Sequence, residues 1–402
     1  MKGGTPTWHL LQLSDVLDME LAQGLSEFSS VVAWEPERSW TPWLTKPGRE
    51  LERMGPDCDV RIRRLPLLRG YARPFFAKMV KTAPLIVERL QRQSFAPEQT
   101  PLICTIPYFA EVAELWPGPV VYWLTDLIAE YAGADREQVK RLDRRMCSAA
   151  TLVCPNSERL AEYLMQDGGC DRDKICVLPN ATRAYNLMAY PLQRPGDLPT
   201  EARDVQRPVA GVIGNLAGNM DWVLLEEMID QTPWLHWLFV GPTSMQIPDV
   251  VQAGARTTVM KHPRARFVGR QPYGKLASFA RSFEVAVLPY RRCEPTYSGS
   301  STRFYEHLAA CRPMIATRGF AELLKKRPLL ELIDTASEGV SALEALREKG
   351  FDDGCQTLRW KESRSGTWTV RAWTMQNALA DRVPWLRSSL GYLPDAASGA
   401  AR

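Results

Sequence analysis

The sequence predicts an α/β protein made of two Rossmann-like domains facing a cleft. Short apolar runs rich in β-branched residues alternate with stretches of helical period along the chain, the pattern of parallel strands joined by crossover helices. One proline-rich, charged interval without hydrophobic period interrupts this alternation at 189–208, and the alternation then restarts. At 402 residues the chain is long enough for two domains that each bury a core.

In chain order, the first half offers strands at "WHLLQLS" (8–14), "VVAWEP" (31–36), "PLICTIP" (101–107), "VVYWLTD" (120–126), "TLVCPN" (151–156) and "KICVLPN" (174–180). "REQVKRLDRRMCSAA" and "SERLAEYLMQ" supply helices between them. The interval "AYPLQRPGDLPTEARDVQRP" carries four prolines and Gly196, and reads as the interdomain linker. Beyond it come "PVAGVIGN" (208–215), a helix over about 219–231, "WLHWLFVG" (234–241), "ARFVG" (265–269), a helix from Pro272 to Ser282 and "VAVLPY" (285–290). A polar loop, the helix "STRFYEHLAAC", "PMIAT" (313–317), an apolar run near 329–333, the helix "GVSALEALREKG" and the helical "TWTVRAWTMQNALADRV" (367–383) complete the series. The expected domains are therefore 1–200 and 201–383, with a terminal crossover helix and a tail at 384–402. Ligands of such sheets sit at the carboxyl ends of the strands, so the loops after strands are where chemistry is sought.

Composition narrows the classes. The chain is 45% hydrophobic and 24% charged, and no apolar run approaches the roughly 20 residues of a membrane span. The short apolar patch after Met1 lacks a signal-peptide core and cleavage site, so a cytoplasmic location is the expectation. Nine scattered cysteines without C-x-x-C, and only four histidines, suit buried reduced thiols and predict neither a disulfide framework nor a protein-built metal site. Residues 60–92 hold nine Lys or Arg against the single Glu88, a local +8 in a chain of net +4, so the rest carries −4. From Phe76, apolar residues keep helical spacing, with Pro84 expected to kink or divide the helix. Arg63, Arg64, Arg69, Arg73, Lys78 and Lys81 suit an anionic membrane surface, the alternative being an ordinary solvated helix. Nucleic acid is not the expected partner, because no recognised module accompanies the charge.

Two stretches after strands could carry chemistry. "VAGVIGNLAGNMD" brings Gly211, Gly214 and Gly218 around the first turn of the second domain, where glycines let backbone N–H groups approach a phosphate. The spacing is not that of a dinucleotide fingerprint, and a tight turn explains it equally. "SGSSTRFYEHLAAC" (298–311) sets Arg303 in the first turn of a helix that Ser300 would cap, an unfavourable place for a cation by about 0.3–1 kcal/mol. A helix N-terminus, a Ser/Thr run and an arginine form a pyrophosphate cradle, and Glu306 one turn on could accept ribose hydroxyls. A surface ion pair between Arg303 and Glu306 is the competing reading.

The segment "RFVGRQPYGKLASFARSFEVAVLPYRRCEPTYSGSSTRFYEHLAACRPMIAT" (266–317) resembles the nucleotide-sugar half of GT-B glycosyltransferases. "VVAWEP", "TIPYFAEVAELWPGPVVYWLTDLIAEYAG", "CPNSERLAEYL" and "VLPNAT" follow the order of the acceptor half. The likeness is to family 4-type bacterial enzymes and the glucuronosyltransferase type of xanthan assembly. It implies a nucleoside diphosphate sugar donor, UDP- or GDP-type, and no other cofactor. On it, Arg303 contacts the donor diphosphate and Glu306 the ribose. Ser300, Ser301 and Thr302 donate to the same phosphates, which Gly214, Asn215 and Gly218 face, while Tyr290 and the loop Gly269 to Gln271 hold the base. Family 4 enzymes usually carry a further Glu eight residues before the ribose Glu. Here that position is Ser298, with Glu294 out of register, which leans the expectation toward inverting chemistry.

Asp126 ends the strand "YWLTD" and could deprotonate an acceptor hydroxyl. It could equally cap the next helix, and Glu130 and Asp15 are weaker candidates. The function expected is sugar transfer to a lipid-linked saccharide or polysaccharide precursor of the bacterial surface. The alternatives are a nucleotide-sugar epimerase and a catalytically silent protein that binds a sugar nucleotide.

Overall fold

The computed structural model describes residues 6–13, 16–39, 60–68 and 82–389. The chain divides into two compact units. One runs to Pro179 and is taken up again from Trp368; the other is Asn180–Thr367.

The first unit holds a parallel sheet of six strands: β1 (Thr7–Leu11), β2 (Ser30–Ser39), β3 (Val60–Leu68), β4 (Leu102–Cys104), β5 (Val120–Leu124) and β6 (Leu152–Pro155). Their order is β3-β2-β1-β4-β5-β6. Strands β4, β5 and β6 are buried along their length, which is why they read as unbroken apolar runs in the sequence. Helices Thr82–Gln91, Ala110–Leu115, Arg136–Ala149 and Glu158–Gln166 close one core around Trp34, Phe109, Tyr122 and Met146.

The second unit repeats the plan with β7 (Val209–Ile213), β8 (His236–Val240), β9 (Ala265–Phe267), β10 (Val285–Leu288), β11 (Met314–Thr317) and β12 (Glu331–Ile333). The order β12-β11-β10-β7-β8-β9 is all parallel and is the same winding read from the other edge. In each unit the order reverses once, between β1 and β4 and between β7 and β10, and a doubly wound sheet opens its ligand crevice there. The β7–β10 pairing ends at Gly211 with Ala286, although β7 runs on to Ile213 and β10 to Leu288. The two strands part before their tips.

Several sequence expectations need correction. "KICVLPN" is no strand: Ile175 makes a single parallel bridge with Val153. The basic stretch contains β3, where buried Val60, Leu65 and Leu67 alternate with exposed Arg61 and Arg63. Cationic side chains on an edge strand discourage pairing with another chain. Pro84 does not kink a helix, because Thr82–Gln91 starts just before it and the first turn needs no N–H there. Arg69, Arg73, Lys78 and Lys81 lie outside the described residues.

The unit boundary falls at Pro179 rather than near 200. The segment after it is tied down locally: Asn180 bonds to Ser300 and Thr302, Leu198 and Val205 pack on a core with fully buried Ala202, and Arg312 donates to the Gln193 carbonyl. The helix Trp368–Ala380 completes the first unit against Val16–Ser26. Gly24 permits this, since a Cβ there would lie 2.6 Å from the Trp368 carbonyl oxygen. Gln376 donates to Ser29 Oγ and Thr369 to Glu27. The tail begins later than 384, because Pro384–Ser389 form a 3-10 helix that buries Leu386.

Candidate functional site

The strand ends of the second unit build the densest cluster of chemistry. β7 runs into Gly214, whose φ of 152° is a conformation that side chains rarely adopt. A Cβ at Gly214 would lie 2.9 Å from Arg303 Nε, so the missing side chain is what lets the guanidinium rest on the turn. Gly241, after β8, works the same way one layer below: a Cβ there would stand 1.7 Å from the Gly214 oxygen. Its N–H bonds to the Gly269 carbonyl at 2.9 Å. Three loops thus meet through glycine backbone.

Arg303 comes from the helix Thr302–Ala310. Its N-cap is Ser301, not Ser300, with Ser301 Oγ accepting the Phe304 N–H at 3.3 Å. Every residue from Phe304 to Ala310 is buried, so the helix has no solvated face for a surface ion pair. Arg303 Nη1 lies 3.2 Å from Glu306 Oε2, with the two side chains 19% and 7% exposed. Glu306 Oε1 is sealed from solvent and has no hydrogen-bond partner. Burying two charges is costly, and a carboxylate oxygen left unsatisfied adds to that cost.

Two tyrosines frame the pair. Tyr273 and Tyr290 both interact with the Arg303 charge. Burial opposes the charged guanidinium, but Glu306 and the two tyrosines outweigh it and hold the Arg303 pKa above its ordinary value. Burial pushes the Tyr290 hydroxyl up to about 12, against the pull of Arg303. The Arg183 guanidinium lies over the Tyr273 ring, 3.9 Å from its centre. Tyr273 and Arg183 were not foreseen from the sequence; Tyr273 follows the Gly269 to Gln271 loop closely, whereas Arg183 carries no local signal. His307, four residues after Arg303 and fully buried, is held neutral with its pKa lowered to about 3 by burial and by Arg303.

The Ser/Thr run is already engaged. Ser300 Oγ donates to Glu322 at 2.8 Å and the Ser301 N–H donates to the same carboxylate at 3.0 Å. Glu322 also accepts from Tyr305 and pairs with Lys326 at 3.4 Å. Thr302 Oγ1 accepts from Asn180 Nδ2 at 3.0 Å. The donors expected at Ser300 and Ser301 are therefore satisfied by a carboxylate. It sits at the positive end of the helix and offsets the awkward placement of Arg303. The N–H groups of Thr302 and Arg303, in the first turn, have no acceptor within the helix.

The remaining expected residues scatter more. Asn215 is exposed, its Nδ2 2.8 Å from Met245 Sδ. A Cβ at Gly218 would lie 3.6 Å from Ile247, with no atom of Arg303 among its nearest neighbours. Ser298 is bound by Glu294, which accepts from its hydroxyl at 2.9 Å and its N–H at 3.2 Å.

In the first unit, Asp126 follows fully buried β5 and is itself partly exposed. It caps no helix: Leu127 holds the N-cap of the short turn Ile128–Glu130, and Asp135 caps Arg136–Ala149 through Gln138 at 3.0 Å. Asn156 fixes the backbone before it, donating to Leu124 at 2.9 Å and Thr125 at 2.8 Å. Glu130 pairs with Arg136 at 2.6 Å on the surface. Asp15 lies outside the described residues. Arg64 stands 3.6 Å from Glu37, and Arg63 is exposed.

No family model matches the chain. A Bacillus subtilis (strain 168) protein named as a teichuronic acid biosynthesis glycosyltransferase, TuaH, is 20% identical over 261 residues, which are 64% of this chain and 63% of that protein. The chain thus spans less than two thirds of that relative's length. Among solved structures, Anabaena Alr3699/HepE in complex with UDP and glucose is similar with a TM-score of 0.61 at 13% identity, covering 96% of this chain and 98% of that one. A glycosyltransferase of Rickettsia africae ESF-5 reaches 0.64 at 11%, covering 96% and 99%. The lipopolysaccharide outer core galactosyltransferase WaaB reaches 0.62 at 11%, covering 94% and 99%. At such identities the likeness shows the fold, which is GT-B.

Proposed function

We propose that this GT-B chain is a glycosyltransferase that moves a sugar from a nucleoside diphosphate sugar, UDP- or GDP-linked, to an acceptor hydroxyl. The observation that carries the reading is the pair at the β7–β10 crevice. A guanidinium is seated on glycine backbone, beside a carboxylate whose second oxygen is buried and lacks a hydrogen. Arg303 would meet the diphosphate charge and Glu306 Oε1 would accept from a ribose hydroxyl. The binding of UDP by a protein of the same fold supports this.

In the transfer, the acceptor oxygen attacks the anomeric carbon while its proton passes to the Asp126 carboxylate. The bond from that carbon to the diphosphate oxygen breaks, and Arg303 stabilises the negative charge left on the departing diphosphate. An inverting course is the favoured one, because Ser298 offers no carboxylate eight residues before Glu306. The acceptor we propose is a lipid-linked saccharide or polysaccharide precursor. TuaH's name points to teichuronic acid and WaaB's to lipopolysaccharide. Exposed Arg61 and Arg63 on β3 support a peripheral place on the inner face of the cytoplasmic membrane. Among the described residues no helix is long and apolar enough to cross a membrane.

Thermal-shift titration with UDP, GDP and their sugars tests the donor half. Stabilisation by one nucleotide class is expected, and failure of every sugar nucleotide to stabilise the protein would sink the proposal. A second reading, donor binding without turnover, draws on the same Ser298. Asp126→Asn separates the two: transfer should vanish with donor affinity intact, whereas a parent protein inert toward every membrane extract favours silent binding.

A further inference from the structure

The cysteines are scattered in sequence, but in the first unit four of them meet in pairs. Cys154 lies in β6, whose four residues are all buried. After the helix Glu158–Gln166 the chain returns alongside this strand. Ile175 bridges Val153 in parallel, the Cys176 N–H bonds to the Val153 carbonyl at 2.9 Å, and the Leu178 N–H bonds to Pro155 at 2.8 Å. This register sets residue 176 next to residue 154 with both side chains on one face. Neighbouring strands lie about 4.8 Å apart, inside the roughly 4.4–6.8 Å between Cα atoms that a disulfide spans.

The two thiols differ in character. Cys154 is sealed in the core, where burial pushes its pKa well up. Cys176 is partly exposed, and the influence of neighbouring Cys154, helped by Arg382 and Arg371, outweighs burial and brings its pKa down to about 7. A reachable sulfur of thiolate character thus stands against a protected one, the division of labour that thiol oxidation to a disulfide requires. The other pair, Cys147 and Cys170, is buried at both thiols and shares no strand register. Cys293 is exposed and belongs to the other unit.

We propose that Cys154 and Cys176 form an oxidisable dithiol that reacts with hydrogen peroxide and closes to a disulfide. The Cys176 thiolate attacks the terminal peroxide oxygen. The O–O bond breaks, and the released hydroxide takes a proton to become water. The Cys154 sulfur then displaces the oxygen from the Cys176 sulfenic acid, which leaves as a second water with the Cys154 proton. One peroxide gains two electrons, and two thiols lose them. The product fastens to β6 a segment now held by hydrogen bonds, among them Arg371 Nε to the Pro179 carbonyl at 3.0 Å and Arg382 to the Asp173 carbonyl. The proposal does not depend on the glycosyltransferase reading.

The full chain, reduced and then freed of reductant, is treated with hydrogen peroxide, quenched with N-ethylmaleimide and mapped by peptide mass. The expected product is a linked pair of peptides containing Cys154 and Cys176, lighter by two hydrogens and restored by dithiothreitol. Cys154→Ser should leave Cys176 trappable by dimedone as a sulfenic acid, with no linked pair, and Cys154→Val repeats the test with an apolar core side chain. Cys176→Ser should abolish both products. Oxidation that ends on Cys293 alone, or that links Cys147 to Cys170 while Cys176 remains open to maleimide, would overturn the proposal.

Discussion

Two buried clusters in this molecule use the same chemistry, a carboxylate set among tyrosines, and end in different states. In the first unit Asp143 receives Tyr122 Oη at 2.5 Å and Tyr163 Oη at 2.6 Å, one hydrogen on each oxygen, behind β5. In the second, Glu306 has one oxygen on Arg303 and the other buried with nothing to accept, while the tyrosines act on the charge of the arginine. The first cluster is finished within the protein. The second is finished only by something else, and it lies where the sheet order reverses. Satisfaction of hydrogen bonds, rather than burial or residue type, separates a structural carboxylate from a candidate ligand.

The largest test of that contrast removes the pair. Arg303→Met should weaken nucleotide binding by roughly 100-fold or more, the scale of truncating one partner of a buried charge pair, read by calorimetry. It should also destabilise the protein, by stranding Glu306. The double variant Arg303→Met, Glu306→Leu should recover stability without recovering binding, since an apolar replacement of a buried ion pair is often neutral or better. A double variant that binds UDP like its parent would make the pair structural and erase the contrast.

Next comes pH, acting on the first unit. Asp143 is pushed up to about 6 by burial, partly offset by its tyrosines. Its folded pKa lies above the unfolded one, so its contribution is present below about pH 4 and is lost as pH rises through 6. His9, buried with Trp34 Nε1 donating to its Nδ1 at 2.8 Å, is lowered to about 4 by burial and by Arg61. Its contribution is present above about pH 6.5 and is lost as pH falls through 4. Over pH 4–6 the two slopes oppose, each worth on the order of 2–3 kcal/mol. Asp143→Asn should therefore expose a loss of stability on acidification that the parent hides, as measured by urea unfolding across that range. An unchanged pH profile would mean that Asp143 does not take up a proton on folding as its surroundings imply.

A smaller effect is expected at the turn. Gly214→Ala should lower nucleotide affinity about tenfold, because the methyl displaces the guanidinium and the backbone there disfavours any side chain. Smallest is Tyr290→Phe, with a loss of about 0.5–1.5 kcal/mol in unfolding free energy and the disappearance of one phenol titrating near 12.

Much of this was legible in the sequence. Buried parallel strands announce themselves as apolar runs, which locates eleven of the twelve strands among the described residues to within a few positions; β3 hid because arginines alternate with its core residues. "KICVLPN" misled because a β-branched run that lines a sheet edge looks like a strand whether or not a full ladder forms. Arg303 and Glu306 were visible because a cation in a first helical turn is locally wrong, and a local rule broken without local compensation asks for a distant cause. Glu322, Tyr273 and Arg183 were invisible for the complementary reason: each acts on that helix from another segment, and nothing in its own neighbourhood is unusual.

The helix Trp368–Ala380 has a consequence for how the protein is made. The unit that is synthesised ahead of the other needs a piece that is synthesised after it, whereas Asn180–Thr367 is one uninterrupted stretch. On the ribosome the second unit can finish folding while the first still waits for its closing helix, an inversion of the usual N-terminal head start. A fragment ended at Pro179 would therefore carry the surface of Val16–Ser26 uncovered, and expression of the first unit alone should succeed only when the last helix is supplied with it.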